Sequence, residues 1–251
     1  MKKIIIANWK MNPESLYLAR KNIQSILKYS PLLGKVGLVI CPPYVYLSLL
    51  KKEYKKRKMS FGVQNISDKK GGAYTGEVSA EMAKDVGASY SIIGHSERRD
   101  MGETDDMISF KIKNALNVGL VPILCIGEKE RDHNGQYLSF LSKSLKDSLY
   151  GVSKKDISKI IIAYEPVWAI GKNSNGAMEP REIHETVLYL RKVLSDIYGK
   201  NEAMGVRFVY GGSVGGDNAG AIIKDGDVVG FLVARASLDT NQFIKIIKSA
   251  V

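Results

Sequence analysis

Eight short apolar runs recur along the chain, at residues 3–8, 36–41, 60–64, 90–94, 121–126, 160–164, 207–210 and 229–233. Each is too short for a typical helix and lacks the apolar–polar alternation of a half-solvated strand. Such runs suit strands buried on both faces, as in parallel sheets. Segments with helical spacing lie between them. Residues 13–30 place Leu16, Ala19, Ile23, Ile26 and Leu27 on one face. Residues 104–117 open with Thr104-Asp105-Asp106, a helix start signal, and carry Met107, Ile108, Ile112 and Ala115. Residues 179–197 carry Ile183, Val187, Leu190, Val193 and Leu194. Two shorter connections are expected at 79–86 and 218–223.

Eight strand–helix alternations in 251 residues fit an α/β protein built as a single parallel (β/α)8 barrel, with one domain over residues 1–251. A doubly wound sheet is the competing architecture. It calls for a glycine-rich fingerprint after the first strand, where this chain reads Asn8-Trp9-Lys10-Met11-Asn12. No linker interrupts the pattern.

A barrel gathers its chemistry at the carboxyl ends of its strands. Asn8 and Lys10 follow the first run, and Gly94-His95-Ser96-Glu97-Arg98-Arg99 the fourth. The sixth run ends on Glu165 directly before Pro166, which forces extended geometry and stops the strand with the carboxylate at its tip. An apolar segment carrying Trp168 and ending on Gly171 comes next. A carboxylate that such a segment covers has a route to base chemistry. The seventh run leads into Gly211-Gly212-Ser213 and the eighth into Ala234-Arg235. A Gly-Gly-Ser turn presents backbone N–H groups and a hydroxyl, as a phosphate site requires. Taken alone, His95 reads as a buried structural histidine, Lys10 as a surface charge, and Arg98 and Arg99 as an ion-pair network beside Glu97. Their joint placement on one rim points to a site.

Composition narrows the partners. Lys and Arg number 37 against 26 Asp and Glu, a formal charge of +11 that favours anionic ligands. The densest basic stretch, residues 51–58, lacks interleaved aromatics beyond Tyr54 and reads as a solvated helix end, so no nucleic-acid partner is expected. No apolar run approaches the ~20 residues of a membrane span, and the Ile4 to Ala7 run is too short for a signal peptide core. Cys41 and Cys125 are far apart and each ends an apolar run, as expected of buried thiols in a reducing cytoplasm. His95, His133 and His184 show no metal-ligand spacing, so no metal is expected.

Together the strings NWKMN, GHSERR, AYEPVWAIG and YGGSV resemble the triosephosphate isomerase family, over essentially the whole chain. Gly72-Ala73-Tyr74-Thr75-Gly76-Glu77 and Cys125-Ile126-Gly127-Glu128 extend the likeness. The resemblance implies a TIM barrel that interconverts dihydroxyacetone phosphate and D-glyceraldehyde 3-phosphate through an enediolate, in glycolysis and gluconeogenesis, without a cofactor. It implies Glu165 as general base, His95 and Asn8 as hydrogen-bond donors to the enediolate, and Lys10 as a fixed positive charge, with Glu97 in support. A helical turn after His95 would disfavour imidazolium. Gly171, Gly211, Gly212, Ser213, Ala234 and Arg235 correspond to the phosphate site. The 68–77 segment resembles a loop that inserts into a neighbouring subunit with Thr75 at its tip, which implies a homodimer.

The chain departs from the family twice. The usual Thr-Gly-Lys-Thr-Ala-like end of the sixth loop is replaced by residues 172–177, and Gly-Gly after the eighth strand by Ala234-Arg235. The phosphate cradle survives the second change if both residues hold negative φ, and Arg235 is expected to face outward. The rivals are another barrel enzyme of phosphorylated sugars, including a Schiff-base aldolase, and a non-catalytic barrel using its basic surface.

Overall fold

The computed structural model describes residues 2–55, 58–132, 134–171 and 177–251. Its eight strands are β1 (Ile4–Asn8), β2 (Gly37–Cys41), β3 (Ser60–Val63), β4 (Tyr90–Ile93), β5 (Val121–Ile126), β6 (Ile161–Tyr164), β7 (Arg207–Tyr210) and β8 (Gly230–Val233). They pair in sequence order, all parallel, and β8 pairs back onto β1 to close a barrel. The expected runs and the observed strands agree to within one residue at each end.

Alternate residues of each strand enter two buried layers, as the period of two requires. Ile4 and Ile6 join Val39, Cys41, Ile123, Cys125, Ile161, Ala163 and Val209 in one cluster, which fills the barrel. Ile5 and Ala7 belong to the larger cluster between strands and helices. The β1–β8 seam is the tightest point. There Gly230 pairs with Ile4, and a Cβ on Gly230 would sit 1.6 Å from the Ile4 carbonyl oxygen, so only glycine closes the ring.

The helices are α1 (Leu16–Leu27), α2 (Ser30–Leu33), α3 (Tyr44–Glu53), α4 (Ala80–Asp85), α5 (Ser96–Asp100), α6 (Asp105–Asn117), α7 (Gln136–Ser148), α8 (Pro180–Tyr198), α9 (Lys200–Gly205), α10 (Ala219–Asp225) and α11 (Thr240–Ser249). The 104–117 expectation shifts by one residue because Thr104 is the cap, its hydroxyl accepting from Met107 N at 3.3 Å. Glu179 likewise caps α8 through a reciprocal pair with Glu182. The expected 13–30 helix is shorter: Ser15 caps it, and it ends at Leu27. Pro31, four residues on, has no N–H to offer the Leu27 carbonyl, and it sits instead in the first turn of the separate α2. The short connections become α4 and α10, while α3, α7 and α11 were not singled out in the sequence.

Candidate active site

The carboxyl ends of the strands open into a cavity of about 1050 Å³ whose lining includes Asn8, Lys10, His95, Glu165, Gly171 and Ser213. These residues follow four different strands, β1, β4, β6 and β7, and the barrel brings them together. Glu97 lies just outside that lining and reaches it through Lys10.

Glu165 stands at the tip of β6, 2% exposed, with its N–H donating to the Ile126 carbonyl at 2.8 Å. Among the described residues its Oε2 is buried with no hydrogen-bond partner. Across the cavity, His95 Nε2 lies 3.7 Å from Glu165 Oε1. His95 is the N-terminal cap of α5, and its Nδ1 accepts the Glu97 backbone N–H at 3.2 Å. An Nδ1 that accepts needs its lone pair, so the ring carries its proton on Nε2, aimed at the cavity. The helical turn expected after His95 is present as α5.

Lys10 is one of two described non-glycine residues in the left-handed region, with φ 51°. Such a backbone costs on the order of 1–2 kcal/mol and needs support. Asn8 supplies some, its Oδ1 accepting from Lys10 N at 3.1 Å. The rest comes from Gln64, whose amide donates to the Lys10 carbonyl at 2.8 Å and to the Cys41 carbonyl at 2.9 Å. Its role was missed in the sequence, where it reads as the last residue of a strand. The Lys10 ammonium meets Glu97 Oε1 at 2.6 Å. Arg98 and Arg99 form the expected ion pairs, with Glu103 and Asp105 as their partners.

Two further carboxylates hold the frame. Glu103 accepts Gly94 N at 3.1 Å and meets the buried Lys111 ammonium at 2.8 Å, fixing the backbone just before His95. Glu128 is 1% exposed and accepts from Tyr164 OH and from Trp168 Nε1, both at 2.9 Å. It therefore ties the start of the sixth loop to β6. Neither Glu103 nor Lys111 had a signal in the sequence beyond the polar start of α6. Burial pushes the Cys125 thiol well up, and the adjacent Glu165 carboxylate adds to the shift.

Ser213 and Arg235 both reach towards the sixth loop. The Ser213 hydroxyl donates to the Ala169 carbonyl at 2.7 Å and Arg235 Nη2 to the Gly171 carbonyl at 3.2 Å. Arg235 is exposed, as expected, yet its guanidinium crosses the mouth of the cavity instead of leaving it. Neither Ala234, at φ −95°, nor Arg235 occupies the left-handed region, so the backbone at these positions does not require glycine for a positive φ. Of the rewritten stretch 172–177, residues 172–176 lie outside the described residues, as does His133. His184 sits on α8, away from the cavity, with Nδ1 3.3 Å from the Asp225 carbonyl.

A closed parallel barrel with a buried acid, a buried imidazole and a part-exposed ammonium on its carboxyl-end rim defines the class: a (β/α)8-barrel enzyme. Residues 3–250 match the sequence profile of the family described as triosephosphate isomerase. A triosephosphate isomerase of Dictyoglomus thermophilum is 40% identical over 250 residues, covering 99% of both chains. Those of Caldanaerobacter subterraneus and Fusobacterium nucleatum are each 39% identical, covering 97% and 99% of this chain and 98% and 99% of theirs. The chain belongs to the triosephosphate isomerase family.

Proposed function

We propose that the chain interconverts dihydroxyacetone phosphate and D-glyceraldehyde 3-phosphate, with Glu165 moving the proton. The observation that carries the assignment of roles is the buried pair Glu165 and His95, 3.7 Å apart across the cavity. A proton must leave one carbon and return to its neighbour. The buried, unpartnered oxygen of Glu165 is positioned to accept it, and a carboxylate with two oxygens serves both carbons. Charge then develops on the substrate oxygens. His95 offers Nε2–H, Asn8 its amide N–H, since its Oδ1 is occupied, and Lys10 a fixed positive charge. Glu97 holds the Lys10 ammonium in place.

The phosphate is assigned to the part of the lining made by Gly171, Gly211, Gly212, Ser213, Ala234 and Arg235. Its binding energy is available for organising the reacting end. A Schiff-base aldolase reading is disfavoured because Lys10 is held as an ion pair at 2.6 Å, not as a free amine in an apolar pocket.

We further propose a homodimer with Thr75 at the contact. Thr75 is exposed on its loop, and Tyr74 and Met82 nearby are 48% and 57% exposed. A sedimentation mass of one chain would refute this. A cytoplasmic setting, in glycolysis and gluconeogenesis, agrees with the family and with two buried free thiols. No described helix is long and apolar enough to cross a membrane.

The test is isomerisation of D-glyceraldehyde 3-phosphate by the wild type and by Glu165→Ala. The expected loss is about 10²–10⁴-fold in kcat. A folded variant that keeps wild-type turnover removes Glu165 from the mechanism.

A further inference from the structure

Arg99 makes a set of contacts that neither its own charge balance nor the reaction accounts for. It projects from α5, four residues after His95, with its side chain 21% exposed. All three guanidinium nitrogens are used. Nε donates to the Gly94 carbonyl at 2.8 Å, and Nη1 to Asp105 Oδ1 at 2.6 Å. Nη2 donates to the Cys125 carbonyl at 3.3 Å and to Ser148 Oγ at 3.4 Å. The carboxylate that holds it is itself held, because Asp105 Oδ1 also accepts from Ser144 at 3.0 Å and Ser148 at 2.8 Å. One planar cation thus joins the ends of β4 and β5 to α6 and α7.

The two carbonyls are the informative partners. That of Gly94 belongs to the peptide unit leading into His95, and the N–H of Gly94 is held from the other side by Glu103. That of Cys125 belongs to the peptide unit leading into Ile126, whose own carbonyl receives the Glu165 N–H at 2.8 Å. The fork therefore sets the backbone under His95 against the backbone that carries Glu165.

We propose that Arg99 is a positioning residue for the reaction: its guanidinium fixes the separation and mutual orientation of His95 and Glu165. This rests on the isomerase reading above. Lysine is no substitute, because an ammonium on a flexible stem lacks the fork that reaches two carbonyls and a carboxylate at once. A displacement near 1 Å between reacting groups costs on the order of 10²-fold in rate.

The test compares kcat and KM of the wild type with Arg99→Lys and Arg99→Ala, the latter with and without added guanidinium at concentrations that leave the protein folded. Methylammonium serves as the control cation. The expected result is a kcat about 10–100-fold lower in both variants with KM unchanged, the signature of geometry lost at the reacting end. Guanidinium restores part of kcat to Arg99→Ala and methylammonium none. Wild-type kcat in either folded variant overturns the proposal. So does a loss carried by KM alone, or one that guanidinium does not relieve. Should Arg99→Ala fail to fold, Arg99→Lys decides by its kcat. No isomerisation by the wild type would overturn the functional reading itself, a result distinct from failure of this role.

Discussion

Gly211 offers a way to push the proposed base without touching its chemistry. It follows β7, and its N–H donates to the Tyr164 carbonyl at 2.8 Å, so its backbone is tied to the strand that presents Glu165. A Cβ on Gly211 would lie 2.6 Å from Glu165 Cγ, 3.1 Å from Oε1 and 3.3 Å from Cδ. Ordinary contact begins at 3.4 Å, so the closest approach is 0.8 Å too short. The Glu165 backbone is pinned to Ile126, which leaves its side chain to move. Misplacement by most of an ångström is worth about 10–100-fold in rate, or about 1.4–2.8 kcal/mol in the barrier. Gly211→Ala is therefore expected to lower kcat in the triose phosphate assay by that factor. It also costs about 1–3 kcal/mol of stability through overpacking. Gly220→Ala is the matched control. It lies in α10 with nothing within 4 Å of the added carbon, and should leave kcat alone and stabilise by about 0.5–1 kcal/mol. A folded Gly211→Ala enzyme with wild-type kcat would refute the view that Glu165 acts from the position seen here.

Two further outcomes follow from buried groups. Lys111→Met leaves Glu103 buried with the Gly94 N–H and one remaining charged partner, Arg98 at 3.4 Å, and is expected to lower unfolding stability by about 3 kcal/mol; urea denaturation showing no loss would refute it. Cys41 and Cys125 are both raised by burial, so the folded chain keeps these protons while the unfolded chain releases them above pH ~8.5. The unfolded state then binds fewer protons and stability falls as pH rises, by about 1.4 kcal/mol per pH unit for each thiol. Cys41→Ala should halve that share of the slope between pH ~8.5 and ~10, and an unchanged slope would refute the assignment.

Much of the architecture was legible because a strand buried on both faces must be apolar throughout. Ile4–Asn8, apolar up to its final residue, and Ile161–Tyr164 carry that signature. The residues on the rim were legible by type and position, but their distances were not, because separation between strand ends depends on ring closure. Gln64, Glu103 and Lys111 were invisible for a different reason. Each acts on a main-chain group or a partner 8 to 54 residues away, and no local pattern encodes such a pairing. Lys111 is the clearest case. At its place in α6 a lysine reads as solvent-facing, and the buried Glu103, together with Asn65 Oδ1, reverses that, both accepting from the ammonium at 2.8 Å. Arg235 was expected to face outward; it is exposed, but it turns to the Gly171 carbonyl, and that reach depends on where the sixth loop runs.

The Gly230 seam bears on how the chain is made. A ribosome delivers β1 first and β8 last, and the ring cannot join until the strand holding Gly230 has emerged. Until then the nascent sheet has two open edges, β1 and β7, where main-chain groups await a partner and invite pairing with other chains. The proposed proton-transfer groups are complete once Glu165 is made, yet the cavity wall formed by Ala234 and Arg235 arrives only with the final strand. A product cut short before Gly230 is thus no weaker version of the enzyme: it is an unclosed sheet, and synthesis passes from an aggregation hazard to a working barrel over its last few dozen residues.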